Sequence, residues 1–320
     1  MKVFESLIPA LASALKASGS QIVGPEKIAL DPALFKPLAP KQGPRMLFVD
    51  GGNGEILRGA SVSVQFVRTY AVLYENNVRV KRDLSESIVV VVARNEEYKV
   101  SVLDLEGKET HAFTFSASDP TLSFGSHRAK PSTVAGYVRK VLEVERAARW
   151  CADLNEGDMI VRDGNLDEDG KELSRAIKEL KARARERSVM LLGLSKTSTL
   201  TTETGASAIH ALQMIAPKGR WAYYAGGVLS FVKLHPNAKY VFRCDVMPSP
   251  HVMRAFEALA VNASDPAFLG YPYGLLDADR GAQVTKHETA QLRARFAVMS
   301  KEQFRGLESA VDAHDILDSL

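Results

Sequence analysis

Two short apolar runs, each closed by Asp-Gly, constrain this chain more than anything else in it. Met46-Leu47-Phe48-Val49 leads into Asp50-Gly51-Gly52-Asn53-Gly54, and Met159-Ile160-Val161-Arg162 leads into Asp163-Gly164-Asn165-Leu166. An unbroken apolar run bounded by turn residues suits a strand covered on both faces of a sheet. An acid at the carboxyl end of such a strand lies where open α/β sheets collect ligands, and glycines there let a backbone or a metal ion approach closely. Side by side, the two strands bring Asp50 and Asp163 together as a metal clamp. Asp-Gly alone is also ordinary turn chemistry. The repetition of the pattern is what singles these two acids out.

The residues between and after the two runs give the fold class. Gly24 to Pro44 holds several prolines without helical or strand periodicity and reads as a linker after a first helix, so residues 1–44 form an N-terminal helix and arm on a single domain spanning 1–320. Ser61 to Tyr74 alternates as a strand, Asn76-Asn77 suits a hairpin turn before Val78 to Val80, and Ile88 to Ala93 and Tyr98 to Leu103 continue the β signal. From Ser132 the period becomes helical: Val134, Val138, Val141, Glu145 and Ala148 share a stripe, which places Glu145 on the packing face and turns Glu143 away. A carboxylate on a packing face either snorkels at its rim or reaches a cation. Leu173 to Ala184 is an amphipathic helix with a basic outer face, Ser188 to Lys196 a third buried strand, and Gly226 to Leu234 with Lys239 to Val246 a hairpin. Helices at Met253 to Val261 and from Leu275, carrying Asp277 and Asp279, complete a mixed sheet flanked by helices.

Composition narrows the setting. The 320 residues are 46% hydrophobic and 25% charged, as in an ordinary globular protein with an ample core. A net charge of +3 permits a polyanionic partner without advertising one. Cys151 and Cys244 provide neither a disulfide framework nor a cysteine-based zinc site, so a cytoplasmic setting is expected. Phe4, Leu7, Ile8, Leu11 and Leu15 fall on one helical face broken by Glu5 and Lys16, which reads as an amphipathic helix instead of a secretory signal.

The order of parts (strand acid, antiparallel meander, helix acid, second strand acid, helix, third strand, late helix acid) is similar to the ribonuclease H-like α/β fold. Within it the chain resembles the NurA family of nucleases through Phe48-Val49-Asp50-Gly51-Gly52, Asp163-Gly164-Asn165-Leu166, Gly193-Leu194-Ser195-Lys196-Thr197-Ser198, Phe231-Val232-Lys233-Leu234 with Val241-Phe242-Arg243, and Gly270-Tyr271-Pro272-Tyr273 through Ala278-Asp279. The resemblance implies a Mn²⁺-dependent DNA nuclease, with Mg²⁺ as the other candidate ion. It further implies cleavage of single strands, 5′ to 3′ exonuclease action on duplex ends, a homodimer, and a HerA-type hexameric ATPase as partner in DNA end processing. Two hard cations about 3.5 to 4 Å apart can clamp the attacking and leaving oxygens of an in-line displacement, and clustered carboxylates are what hold them.

Carried onto this chain, Asp50 and Asp163 become the central ligands and an acid of the Ser132 to Trp150 helix the next, Glu145 by the face argument with Glu143 as the alternative. Asp279 takes the place of a late histidine, with His287 its alternative. Lys196 is expected to steady charge on the phosphate, Tyr271 and Tyr273 to stack on bases, and Arg45, Arg58 and Arg162 to grip phosphates.

Two rivals stand beside this reading. Sugar kinases and actin-like ATPases also set Asp-Gly loops at paired strand ends, but they repeat Asp-x-Gly in two similar halves, and no duplicated half is visible here. A catalytically silent scaffold for a translocating motor would have no physical need of the acids.

Overall fold

The computed structural model describes residues 2–14, 19–122, 128–167 and 169–308. Helix α1 (Lys2–Ala14) is followed by the short strands β1 (Gln21–Val23), β2 (Ile28–Ala29) and β3 (Phe35–Pro37). A meander comes next: β4 (Met46–Arg58), β5 (Val62–Glu75), β6 (Val78–Arg94), β7 (Glu97–Leu103) and β8 (Glu109–Ser116). Helices and strands then mix as α2 (Pro131–Trp150), β9 (Met159–Asp163), α3 (Lys171–Glu186), β10 (Met190–Ser195), β11 (Thr201–Thr202), α4 (Ala208–Ile215), β12 (Trp221–Tyr224), β13 (Leu229–Lys233) and β14 (Phe242–Val246). Helices α5 (Val252–Asn262), α6 (Tyr273–Ala282) and α7 (Lys286–Glu308) end the described chain.

Eleven of these strands make one sheet in the order β3-β12-β13-β14-β10-β9-β4-β5-β6-β7-β8. β9 runs parallel to both β4 and β10, while the meander and the β12 to β14 ladder are antiparallel. This is the ribonuclease H-like mixed sheet that the sequence led us to expect.

Strand alternation sorts the core into two layers. Met46, Phe48, Met159 and Val161 pack beneath α5 and α6 with Phe256, Leu259, Leu275 and Ala278. Leu47, Val49 and Ile160 pack on the opposite face with Val141, Val144, Leu173 and Leu180 of α2 and α3. Because successive side chains change faces, Asp50 continues the Phe48 side and Asp163 the Val161 side. Both acids therefore point toward the layer that contains α6.

Several local expectations are corrected. β4 does not stop at Asp50 but runs 13 residues through the glycines to Arg58. Gly52 accounts for this: a β-carbon there would stand 2.1 Å from the Ala282 carbonyl oxygen, so the missing side chain admits the end of α6 against the strand. The glycines thus serve helix packing within a strand where the sequence suggested a turn. The supposed linker contains β2 and β3, and the two pieces read at Val78 and Ile88 are one 17-residue strand. The apolar face of α1 does not pack on the sheet: Phe4, Leu7, Ile8 and Leu11 are exposed, and Leu15 and Lys16 lie outside the described residues. No helix among the described residues is long and apolar enough to cross a membrane.

The packing at Gly52 predicts opposite outcomes for two alanine substitutions. Gly52→Ala, which sets a methyl group against backbone, should cost about 2 to 3 kcal/mol of stability. Gly136→Ala, in α2 with nothing within 4 Å of the new carbon, should add about 0.5 to 1 kcal/mol. Urea unfolding of the two variants beside the parent checks both signs.

Candidate active site

The acid cluster is assembled by the register of one parallel strand pair. β4 and β9 are matched Met46 to Met159, Leu47 to Ile160, Phe48 to Val161 and Val49 to Arg162. The next residues along are Asp50 and Asp163, on the same face of neighbouring strands. Asp50 is 8% exposed, and its Oδ1 accepts a hydrogen bond from the Gly51 backbone N–H at 2.7 Å. Asp163, half-buried, lies 2.8 Å from the Lys196 ammonium, which also reaches Asp279 of α6 at 3.3 Å. Lys196 follows β10, the other parallel neighbour of β9, so three adjacent strands and α6 converge on one spot.

The fourth acid comes from the opposite face and is Glu143, not Glu145. Glu143 is 3% exposed and sits between two guanidinium groups, Arg139 Nη1 at 3.5 Å and Arg162 Nη2 at 3.5 Å. Glu143 and Arg139 close over Gly51 from this side: a β-carbon there would lie 3.4 Å from Glu143 Oε2 and 3.3 Å from Arg139 Nη1. Glu145 instead turns toward the far strands, with Oε2 3.1 Å from His111 Nε2 and 3.9 Å from Arg149. The single-stripe argument failed because α2 is buried on more than one side, against the sheet and against α3, so its packing arc is wide enough to include Glu143.

The electrostatics of the cluster are those of carboxylates held together against their repulsion. Burial, and after it the charge of Glu143, push Asp50 up to about 7; Asp163 and Asp279 add to this, and the Gly51 N–H opposes it. Burial works against the Lys196 charge, yet Asp163 and Asp279 outweigh it and hold the ammonium above the ordinary lysine value. Lys196 is the cation that answers two of the acids.

Tyr271 stands beside these acids with its ring enclosed. It is 2% exposed, so its ring is closed to an incoming base. Its hydroxyl is buried with no hydrogen-bond partner among the described residues. Burial, followed by the charges of Asp163, Asp50 and Asp279, raises the pKa of that hydroxyl. A buried hydroxyl facing three acids without a partner is a donor left open for something bound between them.

The remaining expected residues stand elsewhere. Tyr273 is half-buried with its ring edge-on to Tyr74 at 6.3 Å. Arg45 lies at the start of β4, the end away from Asp50, and its Nε is 3.0 Å from Asp158 Oδ2. Arg58 is eight residues beyond Asp50 along β4, roughly 26 Å, and is paired to Glu55. Arg162 is 2% exposed and is engaged with Glu143 and the Asn165 carbonyl oxygen, out of reach of a strand on the surface. His287 is exposed on α7 beside Gln291. Sequence reasoning missed Arg139, although its i, i+4 spacing to Glu143 was a usable signal.

No protein-family model matches the chain, and no curated protein sequence matches it. Among solved structures, the NurA nuclease from Sulfolobus solfataricus superposes over 94% of this chain and 95% of its own, with a TM-score of 0.57 and 12% sequence identity. The chain has the NurA nuclease fold. The catalytic domain of human endonuclease V overlays more loosely, with a TM-score of 0.37 over 93% of this chain and 99% of that one at 12% identity. Endonuclease V from Bacillus subtilis gives 0.38 over 81% and 86% at 14% identity.

Among the described residues no three metal-ligating side chains stand close enough to share an ion as they are. The chemistry of the set nevertheless suits a hard divalent cation within this NurA-like fold: the donors are carboxylate oxygens, the Tyr271 hydroxyl is unclaimed, and Lys196 already draws two of the acids toward one positive charge.

The raised Asp50 value fixes the sign of a pH effect. The folded state holds this proton up to about pH 7, whereas the unfolded chain releases it near the ordinary aspartate value of 3.8. Stability without divalent ions should therefore fall as pH rises from about 4 to 7 and then level off. Asp50→Asn removes the penalty, so it should be more stable than the parent by up to about 4 kcal/mol at pH 8, with the gain shrinking toward zero at pH 4. Urea melts across that range in chelator measure the difference.

Proposed function

We propose that this chain is a metal-dependent DNA nuclease that hydrolyses phosphodiester bonds with two divalent ions. The observation that supports it most is the meeting of Asp50, Asp163, Asp279 and Glu143, from β4, β9, α6 and α2, at one end of the sheet in a fold shared with a NurA nuclease. In this reading Asp50 and Asp163 are the central ligands, Glu143 takes the helix position, and Asp279 completes the set. Divalent ions held by these residues would supply Lewis acidity for activating the attacking water and for charge on the leaving oxygen.

The protein's own groups do the rest. Asp50, which holds a proton near neutrality, would lose it to solvent on joining the ligand set. Lys196 releases Asp163 and turns its ammonium to a non-bridging phosphate oxygen, where extra negative charge develops. Tyr271 donates its free hydroxyl hydrogen bond to water or phosphate oxygen held among the acids. Arg139 and Arg162 keep the Glu143 carboxylate in place from the α2 side of the sheet.

The finer features belong to the same proposal: Mn²⁺ as the working ion with Mg²⁺ as substitute, endonuclease action on single strands, 5′ to 3′ exonuclease action on duplex ends, a homodimer, a HerA-type hexameric ATPase as partner, and a cytoplasmic role in DNA end processing.

Cleavage of labelled linear DNA in Mn²⁺ tests the assignment. Asp50→Ala and Asp163→Ala should each lower the rate by at least about a thousandfold, equivalent to about 4 kcal/mol of transition-state stabilisation, while melting as cooperatively as the parent. Glu143→Gln should fall with them, and Glu145→Gln should stay within about twofold of the parent. Full activity in the Asp50 or Asp163 variant, or ATP hydrolysis in place of DNA cleavage, would overturn the reading.

A further inference from the structure

With Tyr271 enclosed and Tyr273 half-buried, the aromatic surface near the acids lies one layer further out. Tyr240 is 57% exposed and Phe268 is 39% exposed. Their rings are nearly parallel, centroids 5.7 Å apart and planes 13° apart. They come from separate parts of the chain, Tyr240 from the turn joining β13 to β14 and Phe268 from the segment joining α5 to α6. Two large rings brought together on the surface, without cover from the described residues, present an open aromatic face.

This pair is continuous with the acid site. Phe268 meets Tyr271 edge-on at 5.7 Å, and Phe242, two residues after Tyr240, meets Tyr271 at 5.3 Å. Tyr271 in turn carries the Lys196 ammonium 5.7 Å above its ring. The row from surface to site is therefore Tyr240, Phe268, Tyr271, Lys196, Asp163. Topology explains why the row is short. β14 is antiparallel to β10, with Arg243 opposite Ser195, so the turn before β14 projects from the same end of the sheet as Asp163 and Lys196. From β9 to β14 is two strand spacings, about 10 Å. Lys239, exposed next to Tyr240, has no ion-pair partner among the described residues and adds positive charge at the outer end of the row.

We propose that Tyr240 and Phe268 are a base-stacking platform for single-stranded nucleic acid, holding a base near the phosphate that Asp50 and Asp163 receive. The proposal rests on the nuclease reading and adds to it the subsite that grips the strand. Every nucleobase has a π face, so such a platform binds without regard to sequence. It also favours single strands over duplex, because in a duplex the faces of the bases are already stacked on one another. Lys239 is placed to meet the backbone of the same strand through its phosphate charge.

The test is fluorescence anisotropy with labelled oligothymidylate, an abasic strand of equal length and a duplex, using full-length protein in chelator so that nothing is cut. Tyr240→Ala and Phe268→Ala should each weaken oligothymidylate binding by about 5- to 150-fold, the range for losing one base–aromatic stack. Tyr240→Trp should bind at least as tightly as the parent. The abasic strand should bind the parent more weakly than oligothymidylate does, and the double alanine variant should treat the two strands alike. Three results would overturn the platform: unchanged oligothymidylate affinity in the double variant, an equal loss for the abasic strand, or a changed sedimentation coefficient with unchanged DNA binding, which would make the rings a contact between copies. A parent protein that cleaves DNA while the double variant binds normally sinks the platform alone. A parent that neither binds nor cleaves DNA sinks the nuclease reading with it.

Discussion

The structure at the candidate site depends on carboxylates being held together when their charges push them apart. Register between β4 and β9 puts Asp50 and Asp163 side by side, α6 adds Asp279, and Glu143 approaches from the other face over Gly51. Lys196 answers Asp163 and Asp279, and two guanidinium groups answer Glu143, which leaves Asp50 to relieve its own repulsion by keeping a proton. An arrangement of this kind weakens a fold in the absence of a cation.

The division of labour between the two sheet faces follows from strand alternation. Asp50, Asp163, Asp279 and the Tyr271 hydroxyl meet on the α6 side, where Lys196 is 44% exposed at its side chain and Asp279 53%. Arg162 alternates to the opposite side, with α2, and so becomes a buried partner of Glu143. One residue of register shift would exchange these roles, placing an arginine among the acids and an acid under α2. The acids converge from four elements around one 11-stranded sheet, and no second matching half is present among the described residues.

The central strands were legible because both β4 and β9 begin as fully apolar runs, and the pairing of their acids followed from that pattern. The continuation of β4 past Asp50 was not, since glycine in a strand reads locally as a turn and only the α6 end packed on Gly52 explains it. β12, four residues of Trp-Ala-Tyr-Tyr covered on both sides, has no alternation to detect. α7 was missed because its sequence is mostly polar, with Val298 and Met299 left exposed. At the site, the choice of Glu145 over Glu143 came from assuming one packing face for a helix that has more than one. The burial of the expected aromatics was not legible in the sequence. Tyr271 is enclosed, with only its hydroxyl left without a partner among the described residues, whereas Tyr240 and Phe268, which carry no motif at all, are exposed.

Anomalous X-ray scattering at the manganese edge, from crystals of the protein equilibrated with Mn²⁺, tests most directly whether the two strand acids share a cation. A peak is expected in bonding contact with carboxylate oxygens of both Asp50 and Asp163, accompanied by movement of the Lys196 ammonium away from Asp163. A map with no manganese between those two carboxylates, with Lys196 still bonded to Asp163, would contradict it.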